Sequence, residues 1–189
     1  EETPADDEIV LTSGKSYSNV FHANGGSASF SVMANTLRGV YGTDVLLATA
    51  NSFTGSVLQA DYNKKMAASM IMPNGLMSRQ RTMTGAELKE TVRAFVEGCE
   101  GGFVPFNRGS LPAGGSYTLT GITRNGQPLR DDDTVTVTCL AAENQMEALL
   151  ASESGTSLDG DTWVKNRWRD HVSGGGAALA EPENYMTLR

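Results

Sequence analysis

The sequence predicts an α+β (mixed α/β) fold in which helices flank a mixed sheet. Segments with a one-sided apolar face at helical spacing alternate with strand-like segments. Residues 45–50 form a continuous apolar run, which is typical of a buried strand. Two β-rich segments flank Asn125–Gly126, a preferred hairpin turn, so some neighbouring strands must be antiparallel. The sheet is therefore expected to be mixed rather than purely parallel.

Size and composition are those of one globular domain. The chain has 189 residues, of which 39% are hydrophobic and 20% charged. Its net charge of −7 argues against nucleic acid or an anionic membrane surface as a partner, because both require basic surface. No apolar run approaches the roughly 20 residues that span a bilayer, so we expect no membrane span in this chain.

The opening segment differs from the rest of the chain. It carries five acidic residues among its first eight and shows no periodicity. We therefore expect residues 1–10 to be an acidic linker and residues 11–189 to be the domain, excised from the C-terminal part of a longer protein. Of the two cysteines, Cys139 lies in an apolar strand and is expected to be a core thiol. Whether it pairs with Cys99 depends on the compartment and stays open.

The first half of the chain predicts four elements. A helix is expected over residues 29–37, a strand over 45–50, a short helix over 62–72 and, after a turn at 73–75, a strand over 76–83. Alternation along the last strand places four side chains on one face: Met77, Arg79, Arg81 and Met83.

The clearest helix follows that strand. Thr84 and Glu87 have the spacing of a capping box, in which each side chain accepts from the backbone N–H of the other residue. Gly98 marks the expected end. The predicted inward face consists of Leu88, Val92, Phe95 and Val96.

The second half begins with a Gly/Pro-rich loop at 98–116, long enough to be functional. The predicted hairpin spans 117–141, and helices are expected at 144–152 and 161–172. In the latter, Trp168 is expected in the core and Trp163 on a partly covered flank, with residues 159–161 as the helix cap. A last strand is expected near 184–188.

Motifs for catalysis are not assembled in the sequence. Residues 12–16, "TSGKS", lack the glycine that a phosphate loop requires at position 9. Neither His22 nor His171 has a metal-ligand spacing, and the acidic runs at 130–133 and 159–161 do not match a calcium loop. We predict no catalytic residue and no metal site in this chain, although a Ser-His-Asp triad cannot be judged from sequence spacing.

Five spaced segments together resemble a known family: "TDVLLATAN" at 43–51, "TGAELKE" at 84–90 after a strand and a Pro-x-Gly turn, "NGQPLRDDDTVTVTCLA" at 125–141, "DTWVKNRWRDHV" at 161–172 and "EPENYMTLR" at 181–189. From about residue 20 onward the chain is similar to the C-terminal domain of the 5'-nucleotidase, UDP-sugar hydrolase and 2',3'-cyclic-nucleotide phosphodiesterase family. The resemblance implies a 5'-nucleotidase C-terminal-domain-like fold.

The resemblance also implies a division of labour. In that family an N-terminal metallophosphoesterase domain holds two divalent metal ions and hydrolyses the phosphoester, while the C-terminal domain stacks the base between two aromatic rings. This chain would then be the recognition half of a secreted, periplasmic or cell-surface hydrolase. Its expected partners are the N-terminal domain of the same polypeptide, which is absent from this chain and would hold the metal ions, and a nucleotide-like small molecule.

The family's binding residues carry over only in part. Asn51 is kept, but Gly25 and Ser56 stand where the family has arginines. Asn74 replaces the first stacking aromatic and Cys139 the second, while a Gly-Gly-Asp-Gly loop has become residues 143–146, which include Asn144. The resemblance and the long loop together give these candidate substrate-binding residues: Asn51, Asn74, Asn107, Arg108 and Asn144.

Two alternatives follow from this erosion of the pocket. In one, new groups such as Arg79 and Arg81 contact an anionic substrate; ordinary solvation of an edge strand is the interpretation that we favour for these arginines. In the other, the scaffold has lost its nucleotide pocket and serves as a non-catalytic interaction or dimerisation module, with a homodimer among the expected assemblies. An Asp-x-His motif followed by an Asn-His-Asp run upstream would favour the enzyme. A third possibility, an independent cytosolic enzyme, is the least favoured of the three, because no catalytic set is visible in the sequence.

Overall fold

A computed structural model describes most of the chain. The described residues are 7–20, 27–48, 52–53, 55–71, 75–97, 119–124, 126–141, 156–157, 163–175, 177–182 and 186–188. Among them, no helix combines the length and the apolar character that crossing a membrane requires.

The described chain contains both helices and strands along its length, as the sequence predicts. The strands are β1 (Ile9–Ser13), β2 (Val45–Ala48), β3 (Ala60–Asn63), β4 (Met77–Thr84), β5 (Leu119–Arg124), β6 (Gln127–Pro128), β7 (Thr134–Ala141), β8 (Thr156–Ser157) and β9 (Met186–Leu188). The helices are α1 (Ala28–Tyr41), α2 (Lys64–Ala68), α3 (Gly85–Glu97) and α4 (Val164–Ser173).

The central sheet has the strand order β2-β7-β4-β8. Strand β7 pairs in parallel with β2 and antiparallel with β4 along its whole length, from Met77↔Ala141 to Thr84↔Thr134. The mixed sheet predicted from the sequence is thus confirmed. Two smaller sheets pair β1 with β3 and β5 with both β6 and β9, the latter confirming the predicted last strand.

Helix α1 forms where the sequence predicts. The Ser27 side chain accepts from the backbone N–H of Phe30, and Gly42 ends the helix in the left-handed region at φ +62°, where glycine carries no steric cost. The predicted inward face is buried, with 8% or less of each residue exposed: Phe30, Met33, Ala34 and Leu37. This face packs into one hydrophobic core with α2, α4 and β1.

Helix α3 begins with the predicted capping box. The backbone N–H of Thr84 donates to Oε2 of Glu87 at 2.8 Å, and the N–H of Glu87 donates to Oγ1 of Thr84 at 3.2 Å. Leu88 and Val92 are 1% and 2% exposed, and the helix packs against β4 and β5. Gly98 and the side chains of Phe95 and Val96 lie outside the described part of the chain.

Helix α4 holds the largest buried side chain. Trp168 is fully buried, as predicted, and its indole N–H donates to the carbonyl of Ala67 at 2.7 Å. The predicted cap at 159–161 is wrong, because the helix begins at Val164 and its N-cap is Trp163, which makes no side-chain cap bond. Trp163 is 44% exposed, which agrees with the predicted flank position.

Other differences from the sequence-based expectation concern strand pairing. The predicted hairpin exists, since Arg124 of β5 pairs with Gln127 of β6 and Gly126 has φ +75°. Its second strand is only two residues long, however, and β7 joins the central sheet instead. Strands β1 and β3 were not predicted, and β3 takes the first two residues of the expected helix at 62–72. The expected helix at 144–152 and the turn at Pro73 and Asn74 lie outside the described residues.

Candidate functional site: the carboxyl edge of the central sheet

Three strands of the central sheet meet at one edge. Strands β2 and β7 are parallel and therefore end together, with Ala48 opposite Leu140. Strand β4 is antiparallel to β7 and begins at the same place, with Met77 opposite Ala141. We call this region the carboxyl edge. In α/β sheets, ligands bind outside the carboxyl ends of parallel strands.

All five predicted binding residues lie outside the described residues, so the structure does not place their side chains. Three of them nevertheless follow or precede the carboxyl edge closely in the chain. Asn51 comes three residues after Ala48, Asn144 three after Ala141, and Asn74 three before Met77. Asn107 and Arg108 are farther from any described residue, because they lie between Glu97 and Leu119 in the sequence.

A second set of contacts connects the chain segments near Asn51 and Asn74. Phe53 forms an antiparallel bridge with Ile71, so residues just after Asn51 pair with residues just before Asn74. The Phe53 ring also contacts Phe30 of α1, with ring centroids 5.1 Å apart. Phe30 lies in the first turn of α1, and the N-terminus of this helix therefore lies near the chain that leaves β2.

The beginning of α1 is rich in buried hydroxyl groups. The Ser27 and Ser29 hydroxyls lie 3.1 Å apart, and the backbone N–H of Ser29 donates to the carbonyl of Ser18 at 3.0 Å. Within the described chain, Oγ of Ser31 and Oγ1 of Thr138 on β7 are buried and have no hydrogen-bond partner. Buried hydroxyls normally bond to protein or ordered water, so these two can accept or donate further hydrogen bonds.

Trp163 is a candidate that the sequence analysis treated only as a flank. The backbone N–H of Val164 donates to the carbonyl of Leu76 at 3.0 Å, which holds the start of α4 against the residue before β4. Trp163 is 44% exposed, whereas Phe30 and Phe53 are buried. Trp163 therefore offers an accessible aromatic surface next to the carboxyl edge. Its sequence context gives no hint of this, because the contact with Leu76 is long-range.

Strand β4 carries Arg79 and Arg81 on one face. The edge-strand interpretation that the sequence analysis favoured is wrong for Arg79, because β7 pairs with β4 along its whole length and β8 pairs with it at Arg79 and Gln80. Arg81 forms an ion pair with Glu87, with Nη2 and Oε1 3.6 Å apart. Arg79 is partly buried and has no hydrogen-bond or ion-pair partner among the described residues.

The described positions that the resemblance assigns to lost binding groups are occupied by structural residues. Cys139 is a free thiol that is completely buried between Leu47 and Arg79, as expected for a core thiol. Burial raises the pKa of the Cys139 thiol, because the thiolate would have to be desolvated. Ser56 is exposed, and its hydroxyl hydrogen-bonds with Asn19. Gly25 lies outside the described residues, as do Cys99 and residues 143–146.

No metal centre is found within the described segments, where no group of three or more histidine, cysteine, aspartate or glutamate side chains could hold an ion. His171 instead stacks on Trp168, with ring centroids 5.9 Å apart.

Comparison with known proteins relates this arrangement to one fold. No protein-family model matches the sequence, and no curated protein does. The structure is similar to a 5'-nucleotidase precursor from Thermus thermophilus, with a TM-score of 0.61 and 13% identity over 94% of this chain. It is also similar to the Thermus thermophilus sulfate thiohydrolase SoxB in complex with glycerol, with a TM-score of 0.54 and 11% identity over 95% of this chain.

A third similar structure is the NAD nucleotidase NadN of Haemophilus influenzae, with a TM-score of 0.50 and 17% identity over 78% of this chain. The matches cover 38%, 37% and 31% of these three larger chains, in the order given. Structural similarity at such low sequence identity establishes the fold and leaves the activity open. The chain therefore has the fold of the C-terminal domain of the 5'-nucleotidase family.

Proposed function

We propose that this chain is the substrate-recognition domain of a 5'-nucleotidase-like phosphoester hydrolase, and that its pocket at the carboxyl edge has diverged from the family's nucleoside site. The observation that carries the proposal is the convergence of strand ends. The segments that contain Asn51, Asn74 and Asn144 are each attached to described residues that pair with one another. These pairs are Ala48↔Leu140, Met77↔Ala141 and the bridge Phe53↔Ile71.

The proposed ligand is a small molecule related to a nucleotide. Amide side chains such as Asn51, Asn74 and Asn144 can donate and accept hydrogen bonds at once, which suits the edges of a base or a sugar. Trp163 supplies an accessible ring beside the same edge. Stacking of a base on an aromatic side chain contributes about 1–3 kcal/mol, so one ring in place of two implies weaker or altered base recognition.

The catalytic step belongs to another domain in this proposal. An N-terminal metallophosphoesterase domain of the same polypeptide would hold the divalent metal ions and hydrolyse the ester, while this chain binds and orients the substrate. The parent protein would be a secreted, periplasmic or cell-surface enzyme. Family-type motifs, an Asp-x-His and an Asn-His-Asp run, are expected in the coding sequence upstream.

One observation favours a second candidate function, that of a non-catalytic interaction or dimerisation module. Cys139, which the resemblance places at a ring position, is a fully buried core residue. A scaffold that keeps its core while its rings and guanidinium groups are replaced fits a domain that no longer binds nucleosides. The upstream motifs would then be absent or equally eroded, and the purified domain would be expected to self-associate.

A nucleoside titration followed by amide chemical shifts separates the two functions. We expect adenosine or uridine, or their monophosphates, to shift the amides of residues 49–53, 72–77 and 139–146 in a saturable way at sub-millimolar to millimolar concentration. Asn51→Ala should weaken this response, whereas Gln59→Ala, at an exposed position outside the carboxyl edge, should not. If no amide shifts at several millimolar of any of the four ligands, the recognition function is refuted and the interaction module is favoured.

A further inference from the structure

Arg79 is an arginine in an unusual setting. It lies in the interior of the central sheet, where it pairs with Cys139 on β7 and with Ser157 on β8. Its side chain is partly buried, yet none of its five guanidinium N–H donors has an acceptor in the described part of the chain. Because arginine keeps its charge at any physiological pH, a partly buried guanidinium without a counterion is unfavourable.

Within the described segments, no carboxylate is found that balances the charge of Arg79. Arg81 lies two residues along the same face, about 7 Å away at the spacing of a strand. Glu87 is the carboxylate that pairs with Arg81, and its other oxygen is occupied by the N–H of Thr84 in the capping box. The described cross-strand neighbour Cys139 is buried and uncharged. This face of β4 therefore carries two positive charges and one described negative charge.

Three other described arginines have a carboxylate partner. Arg124 bonds to Asp44, Arg93 to Glu90 and Arg130 to Asp132. Arg169 makes no contact of this kind among the described residues either, but it is exposed on α4 and therefore solvated. Arg79 alone, among the arginines in the described segments, combines partial burial with the lack of a partner.

We propose that Arg79 is the anchor of a binding site for an oxyanion, the phosphate or carboxylate group of a small ligand. A guanidinium binds such a group with two parallel N–H···O bonds, and these charge-assisted bonds are among the stronger polar contacts in proteins. The site lies on β4 two residues beyond Met77, next to the carboxyl edge. It goes beyond the proposed nucleoside recognition, because it requires an anionic group and no base.

The test compares Arg79→Met with Arg169→Met in chemical unfolding, in sodium chloride and in sodium phosphate of the same ionic strength. Methionine keeps the length and apolar stem of the side chain and removes the charge. Phosphate stabilises folded proteins in general, because it is excluded from their surface. Binding to the folded state adds to this effect, so we expect phosphate to raise the unfolding midpoint of the parent and of Arg169→Met by more than that of Arg79→Met. In chloride, Arg79→Met should be at least as stable as the parent.

Two outcomes overturn the proposal. If Arg79→Met is less stable than the parent in chloride and the parent does not respond to phosphate, Arg79 pairs with a carboxylate of the protein itself. If the parent and Arg79→Met respond equally to phosphate, the response does not involve Arg79 and the proposed site is refuted. Replacing phosphate by acetate at the same ionic strength distinguishes a phosphate site from a carboxylate site.

The Nε–Hε resonance of Arg79 in the parent gives a second measurement that needs no variant. It should shift in a saturable way on addition of inorganic phosphate, while that of Arg169 should not; equal or absent shifts contradict the site. Uncharged adenosine tests the nucleoside pocket separately, so each proposal can fail without the other.

Discussion

Arg124 and Asp44 join two sheets of the protein through one carboxylate. Nη2 of Arg124, on β5, donates to Oδ1 of Asp44 at 3.0 Å, and the backbone N–H of Thr136, on β7, donates to Oδ2 at 2.9 Å. Nη1 of Arg124 also donates to the carbonyl of Thr134. Asp44 directly precedes β2, so a single side chain fixes the start of β2 against β7 and attaches β5 to both.

Asp44→Ala should lower the free energy of unfolding by about 1–3 kcal/mol, because both partners lose a hydrogen bond to a charged acceptor. The contribution of the Arg124 ion pair itself is smaller, since both side chains are more than a third exposed. A double-mutant cycle with Arg124→Met, measured by urea unfolding, should give a coupling energy of no more than about 1 kcal/mol. If Asp44→Ala leaves the free energy of unfolding unchanged, Asp44 does not join the two sheets.

Gly85, the first residue of α3, is expected to tolerate no side chain. A Cβ atom at this position would overlap the carbonyl oxygen of Arg130, and the Gly85 N–H donates to the carbonyl of Asp133 at 2.7 Å, which holds the two segments together. Gly85→Ala should therefore cost about 3 kcal/mol or more, the upper range for overpacking.

Gly39→Ala is the matched control. Gly39 lies in α1, is exposed, and has open space where the methyl group of an alanine would lie. Alanine there should stabilise the protein by about 0.5–1 kcal/mol through helix propensity. Similar losses of stability at the two positions, measured by urea unfolding, would show that the contact with Arg130 is not the cause.

The two functions of Glu87, in the capping box and in the pair with Arg81, can be separated by substitution. Thr84→Ala should cost about 1 kcal/mol, because the N–H of Glu87 loses its acceptor. Glu87→Gln keeps an acceptor for the N–H of Thr84 but removes the charge opposite Arg81, so its cost should be the smaller of the two. Thermal unfolding of the two variants decides between these expectations, and Gln59→Ala, at an exposed position outside α3, is the control.

Low pH should remove the contribution of Asp131 to the stability of the folded protein. The hydrogen bond and the charge of Lys89, whose Nζ lies 2.8 Å from Oδ1, lower the pKa of the Asp131 carboxyl below its ordinary value. A group whose pKa is lower in the folded state stabilises the protein above the ordinary pKa and ceases to do so as the pH falls through the lowered value. Lys89→Met should thus be less stable than the parent at pH 7, and the difference should disappear toward pH 2 in urea unfolding. A difference that stays constant with pH would point to lost packing instead.

Local sequence patterns were enough to predict α1, from its apolar spacing, and α3, from its capping box. Ser27 and Gly42 bound α1, and Thr84 with Glu87 starts α3; in each case the determining atoms lie within a few residues of one another. The start of α4 was placed three residues too early, because its first N–H bonds to the carbonyl of Leu76, a partner that lies far away in the sequence.

Strand partners could not be predicted in the same way. The alternation in residues 134–141 predicts a strand but does not say that β2 and β4 flank it. The pairing of β4 with β7 on one side and with β8 on the other is what makes Arg79 an interior residue. The candidate site depends on the same long-range information. Asn51, Asn74 and Asn144 were selected through a family resemblance, while the positions of Trp163 and Arg79 required the tertiary structure.

The central position of β7 has a consequence for how this chain can acquire its structure. β2 and β4 each pair with β7 and not with each other, and the parallel pair joins Val45 to Val137. During synthesis, the first 133 residues therefore emerge without the strand that organises the central sheet. Pairings between residues so distant in the sequence form slowly, because a long loop must close before any of them contributes. The nascent chain is consequently expected to hold α1 and α3 as local helices and to pair β2 and β4 with β7 only after residue 141 has left the ribosome.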